Sequence, residues 1–251
     1  MCTVSWIHDK DGYQLLCNRD EKLTRKSAQE PRLAVRNGTR FLAPIDGDFG
    51  GTWIAANEFG VSLCLLNGPN GRSAEATRSR GLLVLDLIPL SSIAAVSANV
   101  QAADLSVYAP FTLAALEPGK PAKVIAWGRS QTRISEHDES HFMLTSSSFD
   151  TEAVCRSRTE EYVLASKGVV NADVLLDFHR SHTPARSAYS TCMHRADAKT
   201  VSFSRIQVAH SQIDFFYSPE APCESETGLP LLPAHHAQLG LRSIRQHRQE
   251  F

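Results

Sequence analysis

Apolar residues recur in this chain at two different periods, and the order in which those periods appear restricts the folds open to it. Residues 2 to 7 alternate apolar and polar. A second run, 13 to 17, follows Asp9-Lys10-Asp11-Gly12, whose glycine suits a tight turn, so a β-hairpin is predicted from residue 2 onward. Residues 52 to 56 and 61 to 66, split by Asn57-Glu58-Phe59-Gly60, predict a second hairpin. The polar stretch from 21 to 40 carries Pro31 and Asn37-Gly38 and reads as loop, with a short extended piece near 33 to 35. Leu82, Val84, Leu85 and Ile88 then take near-helical spacing up to Pro89, and Ser91 caps a second apolar stretch through Val96, which predicts two packed helices. Runs at 111–116, 123–127 and 142–145 read as strands, and 150–166 and 171–178 as helices, the latter capped by Asn171. Strands are predicted again at 188–193, 201–208 and 213–217. Strands, helices and strands in that order imply an α+β fold of stacked layers, not a βαβ repeat.

Charge narrows the partners. With 26 Lys+Arg against 27 Asp+Glu and a formal net charge of -1, the chain has no overall field to recruit nucleic acid or an anionic membrane. The best apolar run, 81 to 90, is broken by Asp86 and Pro89 and falls short of the roughly 20 residues of a membrane span. Asp9, Lys10 and Asp11 arrive too early for a secretory leader, so a cytoplasmic protein is expected. No linker or repeat divides residues 1 to 251, which predicts a single domain with its core at about 2 to 217. The tail from about 230 sets Arg242, Arg245 and Arg248 beside Leu239, Leu241 and Ile244, as an amphipathic segment packed on the domain or a partner-binding helix. Oligomeric state has no signature. Cysteines 2, 17, 64, 155, 192 and 223 form no CxxC pair and are expected as reduced thiols. His179 with His182, His235 with His236, and Cys192 with His194 lack the paired ligand pairs of a zinc site, so neither metal nor cofactor is expected. No GxSxG, Walker or GxGxxG motif is present. A small molecule is the remaining class of substrate or ligand.

The position of Cys2 offers chemistry to act on it. Removal of Met1 would put a thiol of ordinary pKa about 8.5 and an α-amine of about 7.7 to 8.0 on one residue, close enough for the amine to take the thiol's proton near neutral pH. The alternative is a cysteine merely buried in a strand. Antiparallel pairing across residues 9 to 12 brings Asn18, Arg19 and Asp20 beside Cys2, where a carboxylate can hold the amine and a guanidinium can lower the thiol pKa or contact substrate. The same cluster is otherwise a solvated strand end. Where the strand 61 to 66 ends at Asn67-Gly68-Pro69-Asn70, a backbone N–H freed from the ladder can donate to an oxyanion, or the segment is a plain turn. Gly50-Gly51 allows close backbone approach to a ligand or fits a bend.

Met1-Cys2, Asn18-Arg19-Asp20-Glu21, Gly50-Gly51-Thr52-Trp53, Asn57 to Gly60 with Asn67, Ser79-Arg80-Gly81, and Tyr108 with Phe111 together resemble the NRDE family, also called the transport and Golgi organisation protein 2 family, over residues 1 to about 206. That family is similar to N-terminal nucleophile hydrolases of the choloylglycine hydrolase and penicillin V acylase kind. The resemblance implies a four-layer αββα sandwich and hydrolysis of a linear amide or a thioester. It implies Cys2 as nucleophile, Asp20 at the amine, Arg19 beside it and Asn67 in the oxyanion hole, with Asn18 and Ser146 towards the substrate. Ser146 stands where the acylases place an oxyanion Asn, and losing one such donor costs on the order of 100-fold to 1000-fold in rate. The acylases also use a later Arg, for which Arg156, Arg158 and Arg186 are unranked candidates, with Arg186 expected towards the substrate. The family's association with secretory organisation and with lipid or haem handling implies, as the alternative, a non-catalytic carrier on the same fold.

Overall fold

The computed structural model describes residues 2–68, 76–224 and 235–242. The first hairpin is β1 (Cys2–Asp9) and β2 (Gly12–Lys22), followed by β3 (Gln29–Arg36), β4 (Thr39–Ile45), β5 (Ile54–Asn57) and β6 (Ser62–Asn67). Helices α1 (Arg80–Leu87) and α2 (Ile93–Ala102) lead to β7 (Phe111–Leu116), β8 (Ala122–Trp127), β9 (Thr132–His137) and β10 (His141–Ser146). Helices α3 (Thr151–Ala165) and α4 (Ala172–Arg180) precede β11 (Ala198–Ala209), β12 (Gln212–Ser218) and β13 (His235–Gly240). The strands make two antiparallel sheets, one in the order β10-β1-β2-β11-β12-β13 and one in the order β3 to β9.

Period-two alternation along β1 and β2 divides their side chains between two apolar layers. Val4, Trp6, Leu15 and Cys17 point between the sheets and meet Ile54, Cys64, Leu66 and Ala114 of the other sheet. Leu16 points the opposite way, with Phe203, against Tyr162, Leu175, Leu176 and Phe178 of α3 and α4. Helices α1 and α2 cover the outer face of the seven-stranded sheet, where Leu83, Val84, Leu87 and Val96 meet Leu63, Leu65 and Leu113. The result is a four-layer αββα sandwich, in which each fully buried Leu, Ile or Val side chain contributes roughly 1.5 to 3 kcal/mol. The Tyr13 hydroxyl ties the sheets together: it donates to Gly60 O at 2.8 Å and lies 2.7 Å from Ser62 Oγ. No helix among the described residues is long and apolar enough to cross a membrane.

Several elements differ from the expectation. Most of the stretch from 21 to 40 is not loop: β3 and β4 form a hairpin whose Asn37-Gly38 turn has φ of 50° and 75°. As an edge strand, β3 leaves Leu33 and Val35 exposed, so it needs no continuous apolar pattern. The second helix is capped by Ser92, whose side chain accepts from Ala95 N, and not by Ser91. Strand β9 is polar and lies at the opposite edge. Residues 188–193 form no strand. Their backbone groups bond across the fold instead, with Ala188 O accepting from Arg158, Thr191 O from Asn18, and Cys192 N donating to Ser181 O. Within the expected tail, 235–240 is the edge strand β13; Ile244, Arg245 and Arg248 lie outside the described residues.

Candidate active site

Cys2 is the first described residue of a strand with neighbours on both sides. It stands opposite Arg19 of β2 and Ser146 of β10. Residues directly opposite share a face, so Cys2 and Arg19 point between the sheets, while Thr3, Asn18 and Asp20 point towards α3 and α4. Cys2 as a residue is 6% exposed and belongs to the same buried cluster as Cys17, Trp53, Cys64 and Leu66. Hydrogen bonding with Cys17, followed by burial, pushes the thiol well above its usual range, and the positive charge of the chain terminus opposes that rise. The Cys2 N–H donates to Ser146 Oγ at 3.3 Å, so Ser146 holds the backbone nitrogen of the candidate nucleophile.

A buried polar network lies on the other face. Arg158 Nη1, brought in by α3, donates to Asp20 Oδ2 at 3.1 Å, Thr3 Oγ1 at 2.8 Å and Thr145 Oγ1 at 3.2 Å. Thr200 donates to Asp20 Oδ1 at 2.7 Å, and its own backbone N–H reaches Met193 O. Arg158 and Asp20 are almost wholly buried, and opposite charges with satisfied lone pairs are what such burial requires. Asp20 points to the face opposite the thiol, yet its negative charge still adds to the upward shift of the Cys2 thiol.

On the thiol face, Arg19 is clamped from two sides. Its Nη2 donates to Asp46 Oδ2, and its guanidinium lies 4.1 Å from the Trp53 ring centroid. Burial would raise the Asp46 carboxyl, but the Phe49 N–H, the Arg19 and Arg25 guanidiniums and the Asp48 N–H hold it below the usual carboxylate range. Arg80, which opens α1 and donates to Pro110 O at 2.7 Å, is close enough for its charge to interact with Cys2 and Glu21. Burial lowers its pKa, and Cys2 and Glu21 offset that fall only in part. Ser79-Arg80-Gly81 was visible in the sequence, yet nothing in its spacing revealed that Arg80 would come within charge range of Cys2.

Asn67 ends β6 opposite Phe111. Gly68 N bonds Pro110 O, and Leu65 N bonds Trp53 O. Antiparallel alternation therefore turns the Asn67 N–H away from β7, towards the side where β5 has ended.

Asn18 sits on the Asp20 face, turned away from the thiol, and Arg186 lies at the surface. Fully buried, Asn18 gives both amide hydrogens to His179 O and Thr191 O, at 2.9 and 3.0 Å, and its Oδ1 faces His179 Nδ1 at 3.0 Å. That pairing makes Nδ1 the protonated nitrogen and leaves Nε2 to accept from Ser5 Oγ at 2.9 Å. Burial, and then the Arg158 charge, holds the imidazole down at about 3. Arg186 has a side chain 57% exposed, 3.8 Å from Glu224, and the arginine that reaches Asp20 is Arg158. Gly51 explains part of the Gly50-Gly51 pair: a Cβ there would lie 2.5 Å from the Gly81 carbonyl carbon, and Thr52 N bonds Gly81 O at 3.1 Å.

Residues 1–209 match the family model described as Transport and Golgi organisation 2. By sequence alone the chain matches none of the curated proteins. Its fold is similar to the Caenorhabditis elegans ortholog of N-acylethanolamine-hydrolyzing acid amidase, with a TM-score of 0.59 and 12% identity over 90% of this chain and 94% of that one. It is also similar to a mutant of the conjugated bile acid hydrolase from Clostridium perfringens, with a TM-score of 0.54 and 15% identity over 96% and 92%. Penicillin V acylase from Agrobacterium tumefaciens follows at 0.51 and 8%, over 87% and 83%. At these identities what is shared is the fold.

Proposed function

The chain belongs to the transport and Golgi organisation 2 family, and from that premise we propose that it is an N-terminal-cysteine hydrolase acting on a linear amide or thioester of a small molecule. The observation that carries this reading is the register of β1, which sets Cys2 between Arg19 and Ser146 with the Asp20–Arg158 pair on the opposite face of the sheet. Loss of Met1 would transfer the positive terminus, which already opposes the thiol's upward shift, onto Cys2 itself. In its neutral form the α-amine takes the thiol proton, and the thiolate attacks the acyl carbon. The oxyanion is met by the Asn67 N–H, and collapse breaks the C–N bond as the α-ammonium returns the proton to the leaving amine. Water attacks the thioester with the α-amine as base, releasing the acid and restoring the thiol. Asp20 holds the amine, Ser146 orients it, and Arg19 and Arg80 supply positive charge on the thiol side for an anionic or polar substrate group. Asn18 and Arg186 have no place in this cycle, since one is spent on the scaffold and the other faces solvent. The proposal includes a cytoplasmic setting and one folding unit.

A second reading, a carrier of a lipid or haem that does no chemistry, is favoured by the thiol's hydrogen bonding with Cys17 and the small exposure of Cys2. A panel of N-acylethanolamines, conjugated bile acids and penicillin V separates the two. Hydrolysis requires amine release that disappears in Cys2→Ala. Saturable binding without release, unchanged in Cys2→Ala, would replace the enzyme by the carrier.

A further inference from the structure

Away from Cys2, four side chains that sequence spacing left scattered come together. His182 follows α4, Cys192 and His194 lie in the segment before β11, and Cys223 follows β12. Each offers one ligand atom, and these atoms all lie within 4.8 Å of one another. His194 Nε2 is 3.6 Å from Cys192 Sγ and 3.3 Å from Cys223 Sγ, and the His182 and His194 rings meet edge to face with centroids 5.1 Å apart. His182 Nε2 is buried with no hydrogen-bond partner among the described residues, which is costly unless something else occupies it.

We propose that His182, Cys192, His194 and Cys223 form a structural zinc site. Bonds of about 2.3 Å to sulfur and about 2.0 to 2.1 Å to nitrogen at the tetrahedral angle put a sulfur and a nitrogen about 3.6 Å apart, close to the spacing seen around His194. Two thiolates balance the charge of a divalent ion, and a set of two sulfurs and two imidazoles selects zinc over calcium, magnesium or manganese. Four protein ligands leave no open position, so the ion would be structural and not catalytic. Glu224, whose charge acts on His194, lies at the rim, where it pairs with Lys199 at 2.9 Å. The segment this ion would tie down carries Ala188 O, Thr191 O and Met193, which hold Arg158, Asn18 and Thr200 in the network behind Cys2. The ion would thus join the chain after β12 to the support of Asp20. The site stands independently of the hydrolase reading.

The test is metal content. Full-length protein purified in the presence of zinc and then dialysed should retain one zinc per chain. Its cobalt-substituted form should show the visible bands of a tetrahedral ion and a sulfur-to-cobalt charge-transfer band. Both should vanish in Cys192→Ser/Cys223→Ser and persist in Cys2→Ala. Should the double variant not fold, Cys223→His keeps four ligand atoms and should retain zinc with a weakened charge-transfer band. Zinc lost from the wild type on dialysis overturns the proposal. So does a mass two hydrogens low with Cys192 linked to Cys223, or cobalt bands that depend on Cys2.

Discussion

At the scale of single residues, the pairing of Asp20 with Arg158 is the most exacting contact behind Cys2, because two buried charges tolerate the loss of neither. Asp20→Asn keeps the shape but strands the guanidinium, and should cost about 3 to 5 kcal/mol. Thermal unfolding should show it as a large fall in Tm, much of it recovered in Asp20→Asn/Arg158→Met; a double variant as unstable as the single one would count against a coupled pair. His179 makes a pH prediction. Its folded pKa of about 3 lies below the ordinary 6.5, so the unfolded chain binds the extra proton between those values. Its contribution is complete above pH 6.5 and is lost progressively as pH falls towards 3, at a slope of at most about 1.4 kcal/mol per pH unit. Denaturant titrations of His179→Gln should show a shallower acid loss over that window. Of these residues, Arg19 and Asp20 were legible in the sequence, because a short turn dictates which residues end beside Cys2. Arg158 was not separable from Arg156 and Arg186, since its reach to Asp20 depends on how α3 packs against β10.

Elements were legible where one face is buried and obscure where neither or both are. The hairpins β1–β2 and β5–β6 announce themselves through alternation ended by glycine turns. The edge strands β3 and β9 each lack a hydrogen-bonded neighbour on one side and show no continuous apolar pattern, and residues 188–193 look like a strand because they are buried, although Arg158 and Asn18 bond their carbonyls. The glycines at 51 and 81 belong to this scale, since they let the start of α1 touch the chain before β5. Gly51→Ala would push a methyl to 2.5 Å from the Gly81 carbonyl carbon, and should cost about 1 to 3 kcal/mol. A lowered urea midpoint, together with weaker labelling of Cys2 as Arg80 shifts, is the expected result; an unchanged midpoint would show that α1 has room to move.

At the scale of the molecule, the alternation of strand, helix and strand runs led to stacked layers, and the count of four came from the family resemblance. What no local pattern carried was the meeting of distant segments: α3 with β2, α1 with the thiol face, and the chain after β12 with the segment before β11. Intact mass before and after brief exposure to a small thiol-reactive probe, for the wild type and for Cys2→Ser, tests the central claim most directly. A chain lacking Met1, labelled fast and once at Cys2 and slowly in Cys2→Ser, is the predicted result; a wild type that keeps Met1, or one labelled no differently from Cys2→Ser, would contradict it.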